Sequence, residues 1–122
     1  MYELKIKADF SAAHNLRGYK GVCEDLHGHN WHIEVYVQSS VLNNIGLLLD
    51  FKDLKGYTNE VLDTLDHKYL NDLESFKEIN PSSENIAKYI YDELTGKVNT
   101  EDIKITKVTV YESKSSSASF IG

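Results

Sequence analysis

The chain is short of several things. Its 122 residues include one cysteine, one proline and one arginine. A single thiol, Cys23, cannot close an internal disulfide, so it is either a small buried hydrophobe or a chemically used group. Lysine and arginine number 13 against 19 aspartates and glutamates, a net charge of -6, and Arg17 is the sole guanidinium. No electrostatic clamp for nucleic acid is present, and polynucleotide binding is not expected. No stretch approaches the ~20 consecutive apolar residues of a membrane span, so no membrane role is expected. Met1-Tyr2-Glu3-Leu4-Lys5 lacks the basic-then-apolar layout of a signal peptide, which makes the cytoplasm the expected compartment. Without an internal repeat, a Pro-rich or Gly-rich linker or a like-charge block, residues 1–122 read as one domain. A domain this small buries only about two thirds of its unfolded surface. A site that excludes water is therefore expected to borrow walls from a neighbouring copy.

What is present is strong periodicity. Tyr2, Leu4, Ile6, Ala8, Phe10 and Ala12 alternate with Glu3, Lys5, Lys7, Asp9 and Ser11, the pattern of a half-buried strand ending at His14. The same parity returns with His29, Trp31, Ile33, Val35 and Val37. Phe51, Leu54, Thr58, Val61, Leu62 and Leu65 recur at threes and fours, predicting a helix over about 50–65. A second helix follows Pro81, with Ser82 or Ser83 as N-cap and Glu84 in the first turn. It buries Ile86, Ala87, Ile90 and Leu94 and stops near Gly96. Strands over 103–112 and 116–121 complete the order. Ile103 and Ile105 differ in parity from Val108 and Val110, so the first of these two contains a bulge or begins late. The fold class is α+β, β-β-α-α-β-β, with two helices on one face of an antiparallel sheet.

Three of the five histidines are placed for chemistry. His14 ends the apolar face of the first strand, and His27 and His29, split only by Gly28, share a side at the start of the second. Residues i and i+2 of a strand have Cα atoms about 6.6–7 Å apart, near enough for two imidazoles to turn onto one ion. If the strands form a hairpin, His14 completes three nitrogen ligands, the set of a catalytic zinc site with a fourth position open. The alternative is three ordinary polar residues at strand ends. His32 falls on the polar side and reads as solvated. Cys23 lies four residues before His27, where a nearby cation would lower its pKa and make it a base; Glu24 beside it is a second possible base or a solvated loop acid. Asp66-His67 ends the first helix, and a carboxylate beside an imidazole suits acid–base work, or else the histidine only meets the helix dipole. Glu112 shares parity with Val110: either a frayed strand end or a carboxylate for a ligand with two adjacent N–H donors. Arg17 and Lys20 either meet phosphate or are solvated.

Taken together these pieces resemble the 6-pyruvoyl-tetrahydropterin synthase family, most closely its bacterial 6-carboxy-tetrahydropterin synthase branch. The matching segments are Phe10-Ser11-Ala12-Ala13-His14, Cys23-Glu24-Asp25-Leu26-His27-Gly28-His29-Asn30, Leu49-Asp50-Phe51, Leu65-Asp66-His67 with Leu70-Asn71, 80–87, and 108–112. The resemblance implies a tunnelling fold, with sheets joined into a trimeric barrel, two trimers stacked as a homohexamer, and active sites between subunits. It implies zinc held by His14, His27 and His29, proton transfer by Cys23, Asp66 orienting His67, and Glu112 anchoring the pterin. The implied substrate is 7,8-dihydroneopterin triphosphate, and the implied products are 6-carboxytetrahydropterin, acetaldehyde and triphosphate, on the route to queuosine. Glu24 also makes a Glu-x-x-His-Gly-His run similar to variants that use Glu in place of Cys to make a folate intermediate. The same residues are compatible with a pyruvoyl-type product, or with a non-catalytic zinc-stabilised domain that binds a pterin.

Overall fold

A computed structural model describes residues 1–19, 21 and 24–122. Strands β1 (Tyr2–His14) and β2 (His27–Ser39) pair antiparallel without a slip, from Tyr2↔Ser39 to His14↔His27. Burial follows the alternation read from the sequence. Ile6, Phe10, Ala12 and His14 are buried on β1, and Trp31, Ile33, Val35 and Val37 on β2, whereas Lys5, Lys7, Asp9 and His32 lie on the other face. Full burial of one large apolar side chain is worth roughly 1.5–3 kcal/mol, so a one-residue slip, which would turn the whole set into water, is strongly disfavoured.

Helix α1 (Phe51–Asp63) begins where Asp50 Oδ1 accepts from Lys52 N at 2.8 Å, and it buries Leu54, Thr58, Val61 and Leu62. It stops two residues before the expected end. Thr64 Oγ1 donates to the Val61 carbonyl, and the Leu65 and Asp66 N–H groups both turn back to the Leu62 carbonyl. Leu65 stays fully buried in that turn, but Phe51, expected on the apolar face, is 53% exposed in the first turn. Strand β3 (Lys68–Tyr69), which the sequence does not announce, then pairs parallel with Ala12 and Ala13 of β1 and leads into two short 3-10 turns, Leu70–Asp72 and Glu74–Phe76.

Helix α2 (Ser83–Val98) is capped by Ser82, whose Oγ accepts from Asn85 N, and it buries Ile86, Ala87, Ile90, Leu94 and Val98. It runs past Gly96, the expected stop. A helical glycine costs about 1 kcal/mol relative to alanine, less than burying Val98 returns. Strand β4 (Lys104–Ser113) lies antiparallel to β2, and β5 (Ser116–Ile121) antiparallel to β4. The expected bulge is there: Tyr36 pairs with Lys107 and Val37 with Ile105, leaving Thr106 as the extra residue. The strand order is β3-β1-β2-β4-β5, with α1 against β1 and α2 against β4 and β5. Among the described residues no helix is long and apolar enough to cross a membrane. The end of β1, the start of β2, the end of β4 and the start of α2 all arrive at one corner.

Candidate metal centre

That corner holds the three histidines. His14 and His27 are cross-strand partners, and His29 stands opposite Ala12 on the same face. Their ring centroids lie 4.6 Å (His14–His27), 4.7 Å (His27–His29) and 5.3 Å (His14–His29) apart, and Trp31 packs edge-on against His14 and His29. Two rings have their outer nitrogens fixed. His14 Nδ1 is 2.7 Å from the Pro81 carbonyl and His27 Nδ1 is 2.9 Å from the Asp25 carbonyl. A carbonyl only accepts, so each Nδ1 carries a proton, and in the neutral ring Nε2 keeps a lone pair. Among the described residues the buried side-chain polar atoms without a hydrogen-bond partner are His14 Nε2 and His29 Nε2. Unpaired buried nitrogens are costly, and here they are gathered in one place.

Glu112 completes the gathering. One donor atom from each of His14, His27, His29 and Glu112 lies within 4.8 Å of the others. Around a tetrahedral zinc ion the donors would stand about 3.4 Å apart, so the set is assembled but not contracted. The Glu112 Oε1 atom is 3.1 Å from His29 Nε2, outside hydrogen-bond geometry, and Oε2 accepts from Ser83 Oγ at 3.3 Å. Burial, reinforced by the neighbouring His27 and His29, lowers the His14 pKa against the opposing pull of Pro81 and Glu112. Near neutral pH that ring is uncharged, the form a metal needs. Three imidazoles, two of them with a buried Nε2 that has no hydrogen-bond partner, fit a divalent transition ion with Glu112 left beside the open position.

The cavity beside the cluster, about 190 Å³, is lined by His14, His27, Tyr19, Glu24, Ser83 and Glu112. Glu24 faces it: Oε1 accepts from Leu16 N at 2.9 Å and lies 3.8 Å from His27 Nε2. Cys23 and Lys20 lie outside the described residues. Arg17 is not a free cation, because its guanidinium donates to the carbonyls of Asn71, Phe76 and Ile79. A larger concavity of about 470 Å³ opens on the other sheet face beside Lys7, Asp9 and His32, but among the described residues no donor set converges there.

Asp66 and His67 form a pair, with His67 Nδ1 3.0 Å from Asp66 Oδ2. The pair hangs on Ser11, whose N–H donates to Asp66 Oδ1 at 2.9 Å and whose carbonyl accepts from the His67 N–H. The Ser11 N–H, and after it His67, hold the Asp66 carboxyl below its ordinary range. His67 sits at φ +57°, which for a residue with a Cβ is strained. Its side chain is 81% exposed and is not among the converged donors. Ser11 faces the opposite side of β1 from His14, bonding Asn30 there, so one chain does not bring the pair into its own cluster. Sequence reasoning also missed the Pro81 carbonyl and the Ser83 hydroxyl; neither carries a distinguishing sequence signal.

The chain matches the profile of the family described as 6-pyruvoyl tetrahydropterin synthase over residues 3–122. It is 39% identical over 103 residues to a putative 6-carboxy-5,6,7,8-tetrahydropterin synthase of Archaeoglobus fulgidus, covering 84% of each chain. It is 32% identical over 106 residues to a dihydroneopterin monophosphate aldolase of Pyrococcus furiosus, covering 87% of this chain and 85% of that one. Among solved structures, the 6-pyruvoyl tetrahydropterin synthase of Caenorhabditis elegans superposes with a TM-score of 0.85 at 29% identity, covering 99% of this chain and 95% of that one.

The left-handed backbone at residue 67 generates a stability test. His67→Gly should be more stable than His67→Ala by about 1 kcal/mol in urea denaturation, because alanine keeps the strain that glycine relieves. Equal stabilities would contradict a strained position.

Proposed function

The chain belongs to the 6-pyruvoyl tetrahydropterin synthase family, and on that premise we propose that it is a zinc-dependent 6-carboxy-5,6,7,8-tetrahydropterin synthase. It converts 7,8-dihydroneopterin triphosphate and water to 6-carboxytetrahydropterin, acetaldehyde and triphosphate, in the cytoplasm, on the route to queuosine. The observation that carries the reading is the convergence of three imidazoles with two buried, unpartnered Nε2 atoms. His14, His27 and His29 hold the zinc, which when bound acidifies C–H bonds beside the side-chain oxygens of the substrate. Glu112 accepts the N3–H and 2-amino protons of the pterin ring as a parallel pair. Cys23 takes the proton, and His67, oriented by Asp66, returns one.

In this reading His67 serves another chain's cluster. Its exposed imidazole leaves its own sheet, so the sites form between copies, in a homohexamer built as two stacked trimers. A second reading, the folate-type reaction on the same scaffold, is favoured by one observation. The Glu24 carboxylate lines the cavity, 3.8 Å from His27 Nε2, where a base is needed. Mass analysis of products formed from dihydroneopterin triphosphate decides between them. A carboxypterin with acetaldehyde supports the first, and a hydroxymethylpterin product the second.

Single substitutions separate the roles. Purified protein should carry one zinc per chain by elemental analysis, and His27→Ala and His29→Ala should each lose it, since two remaining ligands bind weakly. Cys23→Ala should keep its metal and lose turnover by about two to four orders of magnitude, with Glu24→Ala much less affected; reversed effects would move the assignment to the folate-type reaction. Glu112→Gln puts an amide donor against a ligand donor, which should weaken binding of bare pterin by about 1–3 kcal/mol in calorimetry without removing zinc.

A further inference from the structure

Beyond His14 the chain leaves the sheet, and its backbone groups need new partners. Two asparagine side chains supply them. Asn71 Oδ1 accepts from Asn15 N at 3.1 Å while its Nδ2 donates to Asn15 O at 2.8 Å. Asn80 Oδ1 accepts from Arg17 N at 2.8 Å while its Nδ2 donates to Arg17 O at 2.9 Å. Each amide closes a two-bond ring on one residue, and the residues served, 15 and 17, alternate as they would beside a real strand. Arg17 reciprocates: its guanidinium binds the carbonyls of Asn71, Phe76 and Ile79. Asn85 Nδ2 holds the Asn80 carbonyl at 2.8 Å. Segments 15–17 and 71–80 are thus braced against each other by hydrogen bonds.

The brace ends on the metal site. Residue 81 follows Asn80 directly, and its carbonyl takes the Nδ1 proton of His14, three residues before Arg17. We propose that Asn80 and Asn71, together with Arg17, are positioning residues for the metal centre: they hold the Pro81 carbonyl where it fixes the His14 tautomer and turns Nε2 into the cluster. None of the three is among the converged donors. The inference rests on the metal-binding reading above. Asn80→Asp keeps size and one acceptor but sets an oxygen against the Arg17 carbonyl; Asn80→Ala removes both bonds. Asn80 is half-buried, whereas Asn71 is buried.

The experiment is zinc titration of the apo chain against a chelator of known affinity, for the parent, Asn80→Asp, Asn80→Ala, Asn71→Asp and His27→Ala, with circular dichroism as a check on the fold. A parallel ¹⁵N NMR measurement reads the ring tautomer of His14 in the apo parent and in each folded variant. The expected result is zinc binding about 10–100-fold weaker in the asparagine variants with the fold retained, the range seen when a ligand loses its outer hydrogen-bond support. His14 should be the Nδ1–H tautomer in the parent and a mixture in the variants. Asparagine variants that bind zinc as the parent does, while His27→Ala does not, overturn the inference and leave the metal reading standing. A parent that binds no zinc defeats the metal reading itself. Should every asparagine variant unfold, the parent spectrum decides alone: a proton on Nε2 of His14 overturns the proposal.

Discussion

Imidazoles whose centroids lie 4.6 to 5.3 Å apart cannot all carry charge. Two charged rings at about 5 Å would repel by about 3 kcal/mol at an effective dielectric of about 20, and burial adds to the cost. The architecture of the corner serves that constraint. Backbone carbonyls of Pro81 and Asp25 take the outer protons, Trp31 closes the apolar side against His14 and His29, and 2% exposure keeps water from His14. What remains is a set of lone pairs aimed at one another, unfavourable by itself and relieved by a cation.

The two sheet faces have different work. The helix-covered face carries the core and the cluster, whereas the Asp66–His67 pair is attached at the β1 edge through Ser11 and reaches outward. The donor set and the Asp66–His67 pair are therefore separated in one chain by the thickness of a strand. The left-handed backbone at His67 stores strain that glycine would not.

Much of this is legible in the sequence because period two is a property of every strand. Parity alone puts His14, His27 and His29 on the face of Phe10 and Trp31, and the β1–β2 register bears it out. Features without a period are not legible. Two residues, Lys68 and Tyr69, are too few to show alternation, and their pairing is imposed by the turn after α1. Arg17 reads as a phosphate contact or a solvated loop cation because its true partners are main-chain carbonyls, which every residue possesses. Helix α2 outruns its glycine because a local preference is weaker than the tertiary burial of Val98. The roles proposed for Cys23, Asp66, His67 and Glu112 rest on their chemistry and on the family.

Beyond Thr106 the parity of β4 runs on for about 20 Å, by the ~3.3 Å advance of each residue. Ahead of it Ile105 points to the helices; after it Val108 and Val110 do. One added residue has changed the phase of β4, so that even-numbered side chains point inward where odd-numbered ones did before. Glu112 inherits that phase and arrives beside His29. Length on this stretch of chain is thus a chemical variable. Loss of Thr106 itself would straighten the strand and leave Glu112 facing inward, whereas loss of Thr109 or Val110 would turn the carboxylate to the opposite face and set Ser113 in its place beside the histidines.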